Sequence, residues 1–292
     1  MNPPIATQLA RVLLPLAMWF AIAVEAAASG LVYEIRRDEA MVGFLVGTMH
    51  SEDPRVMQLL PTIRPLLARV DTLAVELIPD AVTMVAIAAA SMLPHGQRLE
   101  DLIGSERYAA LEEAAAGLDV PGSTLVRLRP WAAALTLATP PPKSGVFLDS
   151  ALYLEAVERG KQAIGLESAA EQLAVFQQMP LSEQLQLLDE MIKNAADLPL
   201  QLEQLTVAYL SGDPDRLAAV VREQQANTSA AIAAWFDEVL LSRRNERMHQ
   251  RILPLLAEGP VLIAVGAMHL LGDDGLVRSL RGDGYAVELW RP

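Results

Sequence analysis

The sequence predicts an α/β fold: a mixed central β-sheet flanked by helices, with a large helical insertion between its N-terminal and C-terminal strands. Three observations lead there. Short apolar or alternating runs bounded by polar turns lie at both ends of the chain. Apolar residues at helical spacing fill the middle, as with Leu185, Leu188 and Ile192 at i, i+3 and i+7. Strand-like and helix-like stretches alternate, the pattern of a sheet covered by helices.

In chain order, residues 31–36 and 41–46 predict a hairpin joined by the polar turn Arg37-Asp38-Glu39-Ala40. Residues 55–69 predict a helix bent or split at Pro61 and Pro65. Residues 72–77 predict a short strand running into Glu76. The stretch 81–125 predicts helices broken at Pro94-His95-Gly96 and Pro121-Gly122, and 150–159 a helix stopped by Gly160. Residues 162–166 predict a strand ending at Glu167. Helices follow over 172–210 and 216–258, then a buried strand over 261–265, a short helix over 274–281 and a last strand over 285–290. The prediction is one domain over 29–292 with a helical subdomain from about 81 to 258 covering one sheet edge as a lid.

Residues 1–28 have the parts of an export signal: a single positive charge at Arg11, an apolar run over 12–24, and small residues at Ala26 and Ala28. The run falls short of the roughly 20 apolar residues that a spanning helix needs. Cleavage after Ala28 is therefore expected, giving an extracytoplasmic protein, periplasmic or secreted, with no stable membrane span; an uncleaved N-terminal anchor is the alternative. Cysteine is absent, which excludes disulfides, thiolate metal sites and a cysteine nucleophile. The formal net charge of −13 argues against nucleic-acid binding, which needs basic patches. It suits cationic ligands or metals.

One local pattern occurs twice. Phe44-Leu45-Val46-Gly47-Thr48-Met49-His50 and Ile263-Ala264-Val265-Gly266-Ala267-Met268-His269 are each an apolar strand followed by Gly-x-Met-His. Both imidazoles sit just past a strand end, where α/β proteins place their sites, and the glycines permit a sharp turn and leave room for a ligand. Glu76 ends a third apolar run, and a buried carboxylate there needs a positive partner. Two imidazoles and a carboxylate form a frequent divalent-metal set. The alternative is that both histidines bond to loop carbonyls while Glu76 pairs with an arginine. The candidate cations beside Glu76 are a divalent ion and Arg244. Glu167 is a candidate general base or fourth ligand, or else a helix cap. Arg244 is a candidate for steadying an oxyanion, or else an ion-pair partner of a buried Glu. His95 and His249 read as solvated surface residues, and the scattered methionines as core filler.

These motifs resemble the TraB/GumN family, related to the Tiki metalloproteases and more distantly to erythromycin-esterase and ChaN-like proteins. The resemblance rests on Gly47-Thr48-Met49-His50, Val75-Glu76-Leu77, the 145–149 stretch ending in Asp149, Gly165-Leu166-Glu167-Ser168 with Glu171-Gln172, Arg244-Asn245, and Val265 to Gly272 with Gly275 and Gly284-Tyr285. At Phe147-Leu148 the chain is apolar, where family members often carry an acidic or glycine-rich position. The resemblance implies an α/β fold and a metal-dependent hydrolase site; with the export segment, the expectation is an exported, peptidase-like hydrolase acting on a peptide or small molecule, a substrate class that the resemblance itself does not supply. It places a divalent ion on His50, Glu76 and His269; nitrogen and oxygen ligands suit zinc, manganese or cobalt, and Glu76 or Glu167 is the expected base. The rival readings are a non-catalytic metal or small-ligand binder, and a metal-free His/Glu hydrolase resembling erythromycin esterase.

Overall fold

The computed structural model describes residues 30–139 and 144–291. The expected export segment 1–28 lies outside the described residues. Six strands form one sheet: β1 (Leu31–Arg37), β2 (Ala40–Thr48), β3 (Thr72–Val75), β4 (Gln162–Gly165), β5 (Val261–Gly266) and β6 (Ala286–Leu289), in the order β4-β3-β5-β2-β1-β6. Strands β4, β3, β5 and β2 run parallel to one another. Strand β1 is antiparallel to both β2 and β6. The fold is thus a mixed-sheet α/β structure, as the strand and helix patterning predicts.

The first hairpin turns more tightly than the four-residue turn of the sequence reading. Asp38 and Glu39 both hold positive φ, 49° and 66°, so two residues make the turn and β2 begins at Ala40. Two consecutive positive φ values match the right-handed twist of the flanking strands. Strand β5 is buried along Val261–Val265 rather than alternating. Continuous burial of this kind requires helices on both faces of the sheet. The helices Leu60–Leu67, Leu148–Glu158, Arg243–Glu258 and Leu276–Gly282 supply that cover, and their apolar residues share one core with the strands. The two sheet edges, β4 and β6, are four residues each. Short edges of this kind limit unwanted strand pairing.

The helical middle has its own apolar cluster. Leu99, Leu111, Trp131, Ala133, Leu188 and Ile232 belong to it, from helices that lie before and after β4 in the chain. The long helical runs of the sequence reading are cut by turns, giving Ala169–Gln177, Leu181–Asn194 and Leu198–Leu210, then Pro214–Gln225 and Ala230–Trp235. A π-helical turn, Phe236–Ser242, joins the last of these directly to Arg243–Glu258. Among the described residues no helix is long and apolar enough to cross a membrane.

The β2–β5 pairing is tightest at Gly43, where a Cβ would lie 2.5 Å from the backbone oxygen of Val261. Gly43→Ala is expected to destabilise the protein by about 1–3 kcal/mol through overpacking. Gly282→Ala, at a helix end with nothing within 4 Å, is expected to be neutral or to stabilise by up to about 1 kcal/mol. Urea denaturation of the two variants measures the contrast.

Candidate functional site

The four parallel strands end on one side of the sheet, and each is followed within a few residues by a candidate group: His50 after β2, Glu76 after β3, Glu167 after β4 and His269 after β5. Thr48 stands opposite Gly266 in the β2–β5 register. The repeated glycines serve this junction by their lack of a side chain. A Cβ on Gly47 would lie 3.1 Å from Ala267 Cα, and one on Gly266 would lie 3.1 Å from Glu76 Oε1 and 3.6 Å from His269 Cδ2. Neither glycine is among the residues with positive φ. Close approach therefore favours glycine here, and the sharp turn expected from the sequence is not what requires it. The buried Tyr209 hydroxyl donates to the Gly47 carbonyl at 2.7 Å and pins this loop from the side. Burial pushes its phenol pKa up, so it stays a donor.

Glu76 and Glu167 lie on adjacent strand ends, tied together by Glu167 N–H donating to the Glu76 carbonyl at 2.8 Å. Between their carboxylates sits Arg244. Its Nε donates to Glu167 at 2.9 Å, and its Nη2 reaches Glu167 at 2.6 Å and Glu76 Oε2 at 2.7 Å. Arg247 adds a bond to Glu167 Oε1 at 3.1 Å, and the Gln172 amide donates to both carboxylates at 3.3–3.4 Å. The Glu167 side chain is wholly enclosed by these partners. Capping falls to its neighbour: Ser168 and Glu171 form a reciprocal capping box on the Ala169–Gln177 helix. Of the two candidate cations for Glu76, Arg244 occupies the position.

His269 lies in the short 3-10 helix Ala267–Leu270 and is buried. Its Nδ1 is 2.7 Å from Asn245 Oδ1, and Asn245 Nδ2 donates to the Asp274 carbonyl at 2.9 Å. That second bond makes Oδ1 the acceptor, so the proton belongs on Nδ1. Nε2 then presents a lone pair, 3.6 Å from Glu76 Oε1. Glu76 Oε1 also accepts the Gly266 N–H at 2.5 Å.

His50 is not brought to this point. Its side chain is 67% exposed, its ring lies 5.1 Å from that of Phe147, and its Nε2 is 3.6 Å from Asp149 Oδ2. Among the described residues no three His, Asp or Glu side chains converge closely enough to hold a metal ion. The set His50, Glu76 and His269 expected to hold one is therefore not assembled here: Arg244 has closed on Glu76 and Asp149 faces His50. The donors Glu76 Oε1 and His269 Nε2 do suit two positions of a borderline divalent ion. His95 is exposed, as expected. His249 is not merely solvated; its Nε2 sits 2.6 Å from Asp283 Oδ2. Sequence reasoning gave no role to Gln172, Asn245, Arg247 or Tyr209. Gln172 and Asn245 were visible only as neighbours of Glu171 and Arg244 in the motifs.

Burial alone would raise the Glu76 pKa, but the charges of His269 and Arg244 and the Gly266 N–H outweigh it and bring it to about 2. Burial lowers the His269 pKa below its usual 6.5, against the pull of Glu76. At neutral pH the pair is thus a carboxylate facing a neutral imidazole, with Arg244 as the standing positive charge. Arg244→Ala strands the buried Glu167 carboxylate and the partly exposed Glu76 carboxylate and is expected to cost about 3–5 kcal/mol of stability, read by denaturant unfolding.

The pH dependence has a definite sign. The folded Glu76 holds its proton less tightly than the unfolded chain, whose value is near 4.5. Its stabilising contribution is therefore full above pH 4.5 and is lost as pH falls toward 2. Unfolded His269 also takes a proton more readily than folded His269 below pH 6.5. Melting temperature is expected to fall with pH from 7 to 3, and Glu76→Gln to flatten the part below 4.5.

The TraB/PrgY/gumN family model matches residues 31–289, from the first residue of β1 to the last of β6. Metalloprotease TIKI1 of Danio rerio is 25% identical over 312 residues, covering 89% of this chain and 63% of that protein. Metalloprotease TIKI2 of Xenopus tropicalis is 26% identical over 298 residues, covering 84% and 57%. The uncharacterized protein YbaP of Escherichia coli (strain K12) is 25% identical over 242 residues, covering 81% and 87%. The chain spans about three-fifths of the length of the TIKI relatives. No solved structure matches. With a family match that takes in every strand of the sheet, the chain belongs to the TraB/PrgY/gumN family.

Proposed function

We propose that this protein is a peptidase-like hydrolase whose reaction centre is the gap between Glu76 and His269. The observation that carries the reading is two acceptors facing one another. Glu76 Oε1 and the Nε2 lone pair of His269 stand 3.6 Å apart, and the donors that hold each group act on its other atoms or from the side. Such a gap calls for a donor or a cation to fill it, and a water there has an imidazole ready to take its proton. Asn245 keeps Nδ1 protonated and so keeps Nε2 free. Arg244 fixes the Glu76 carboxylate, and Glu167 in turn fixes Arg244, so these two position the site and do not touch substrate. The names of the TIKI relatives support both the peptide substrate and a metal. A divalent ion of the zinc, manganese or cobalt kind, held by Glu76 and His269, would lower the pKa of a bound water toward neutrality. The Arg244 guanidinium beside Glu76 favours a second reading, in which the same two residues act without metal. Export through the 1–28 segment would place the site outside the cytoplasm.

The test uses purified protein and a pool of quenched fluorescent peptides. Glu76→Gln and His269→Ala are each expected to reduce kcat/KM by about 10²–10⁴-fold, the range for removing an acid–base group. Asn245→Ala is expected to reduce it by about 10–100-fold, the range for a residue that orients a ligand or base. Circular dichroism checks that the variants fold. Cleavage that persists in both Glu76→Gln and His269→Ala overturns the proposal. Metal analysis separates the two readings. Stoichiometric metal that is lost in both variants selects the metal-dependent one; full activity in chelator-treated, metal-free protein selects the other.

A further inference from the structure

Two cavities meet beside Asn245. The first, of about 320 Å³, lies between the helix Pro214–Gln225, the π turn Phe236–Ser242 and the segment around His269, with Val221, Leu241, Asn245 and Met268 in its wall. The second, of about 700 Å³, continues past the same helix toward β6, with Tyr33, Val277 and Leu289 in its wall. Ala218, Leu271, Gly272 and Asp273 line both, so the two form one groove. Volumes of this size are typical of ligand sites. One end of the groove reaches the candidate site: Asn245 stands in its wall, and Asn245 Oδ1 is 2.7 Å from His269 Nδ1. A single side chain thus separates the groove from the imidazole ring.

The floor of the groove is apolar and its rim is acidic. Val221, Leu241, Met268 and Leu271 are each partly exposed within it. On the rim, Asp273 is paired with Arg278. Asp215, Asp237, Asp274 and Glu288 also line the groove, and among the described residues they are in no ion pair. Asp237 accepts from the neutral Gln225 amide at 2.9 Å. Against these carboxylates stand Arg222 and Arg281, and Arg281 is turned to the Val287 carbonyl, to which its Nε donates at 3.0 Å. Carboxylates along a cleft with low-dielectric walls focus a negative potential that draws cations in. The net charge of −13 acts in the same direction. An apolar floor below an acidic rim matches side chains with an aliphatic stem and a cationic head, those of Lys and Arg.

We propose that this groove binds a lysine- or arginine-bearing segment of the peptide substrate and so makes basic peptides the preferred ones at the neighbouring Glu76–His269 gap. The inference rests on the hydrolase reading for the chemistry beside Asn245, and on the groove alone for the docking itself.

The experiment measures binding apart from cleavage. Fluorescein-labelled decapeptides, identical except for three positions that are Lys, norleucine or Glu, are titrated against Glu76→Gln protein by anisotropy at low salt. The Lys peptide is expected to bind about tenfold more tightly than the norleucine peptide, and the Glu peptide more weakly than either. The differences are expected to shrink in about 0.5 M salt, which screens exposed charges. Asp237→Asn/Glu288→Gln, one carboxylate from each half of the groove, is expected to weaken the Lys peptide about fivefold, the size for two exposed ion pairs. Norleucine-peptide affinity and melting temperature are expected to stay unchanged. Glu113→Gln/Glu158→Gln removes the same charge from exposed helix positions outside the groove and is expected to leave Lys-peptide affinity as it is. Equal binding of the Lys and norleucine peptides overturns the proposal. Equal weakening by the two double variants also overturns it, in favour of diffuse attraction by net charge. Self-association that the groove variant abolishes while Lys-peptide affinity stays overturns it in favour of a second copy. Selective Lys-peptide binding with no cleavage by wild-type protein leaves the groove standing and removes the hydrolase reading; cleavage with no preference for basic peptides does the reverse.

Discussion

The sheet edge depends on one guanidinium. Two parallel strands deliver carboxylates, Glu76 and Glu167, to adjacent ends in a largely buried setting, where their mutual repulsion and lost hydration would each cost several kcal/mol. Arg244 answers both charges from a single side chain, with two nitrogens on Glu167 and one of them shared with Glu76. A lysine could not do this, since it lacks the planar fork. Removing Arg244 would loosen β3, β4 and the helix that carries it together. It would also remove one of the charges that hold the Glu76 pKa low.

From that fixed point the polarity of the site follows. Glu76 is anchored through Oε2 by Arg244 and through Oε1 by Gly266, and its Oε1 faces His269. On the other side, the chain Asp274 carbonyl, Asn245 amide and His269 imidazole sets the tautomer by ordinary donor and acceptor rules. Arg244 and Asn245 are consecutive on one helix, so a single element orients the carboxylate and the imidazole at once. The π-helical turn Phe236–Ser242 that feeds this helix adjusts its phase where these two residues enter the core. Such turns are often found at functional sites.

Much of this fold can be read in the residues. Buried strands announce themselves because runs such as Val261–Val265 are apolar throughout, and Pro and Gly mark most helix ends. The motif order shows that His50, Glu76, Glu167 and His269 follow strand ends. The parallel pairing that puts those ends on one side is non-local and depends on the helical crossovers. Other features are not legible for physical reasons. A π turn has no side-chain signature, so the facing of Arg244 and Asn245 could not be computed from helical spacing. The reason for glycine at 47 and 266 is a neighbouring strand's atoms, invisible in either motif alone. The partner of Glu76 was reduced to two candidates by charge logic, but choosing between them required the position of a helix that starts far along the chain.

The two copies of Gly-x-Met-His show how far a local motif reaches. Their strands are neighbours in register, yet the imidazoles end in different states. His269 is buried and held through Nδ1 by Asn245, which directs Nε2 inward to Glu76. His50 is exposed, rests on Phe147 and faces Asp149 through Nε2, at the start of the Leu148–Glu158 helix. The 3.6 Å separation from Asp149 is too long for a hydrogen bond, so little enthalpy is lost when that ring turns. Moving His269 would break a buried 2.7 Å contact and leave Asn245 Oδ1 without its donor. The second copy of the motif is thus held by a buried side-chain contact that the first lacks.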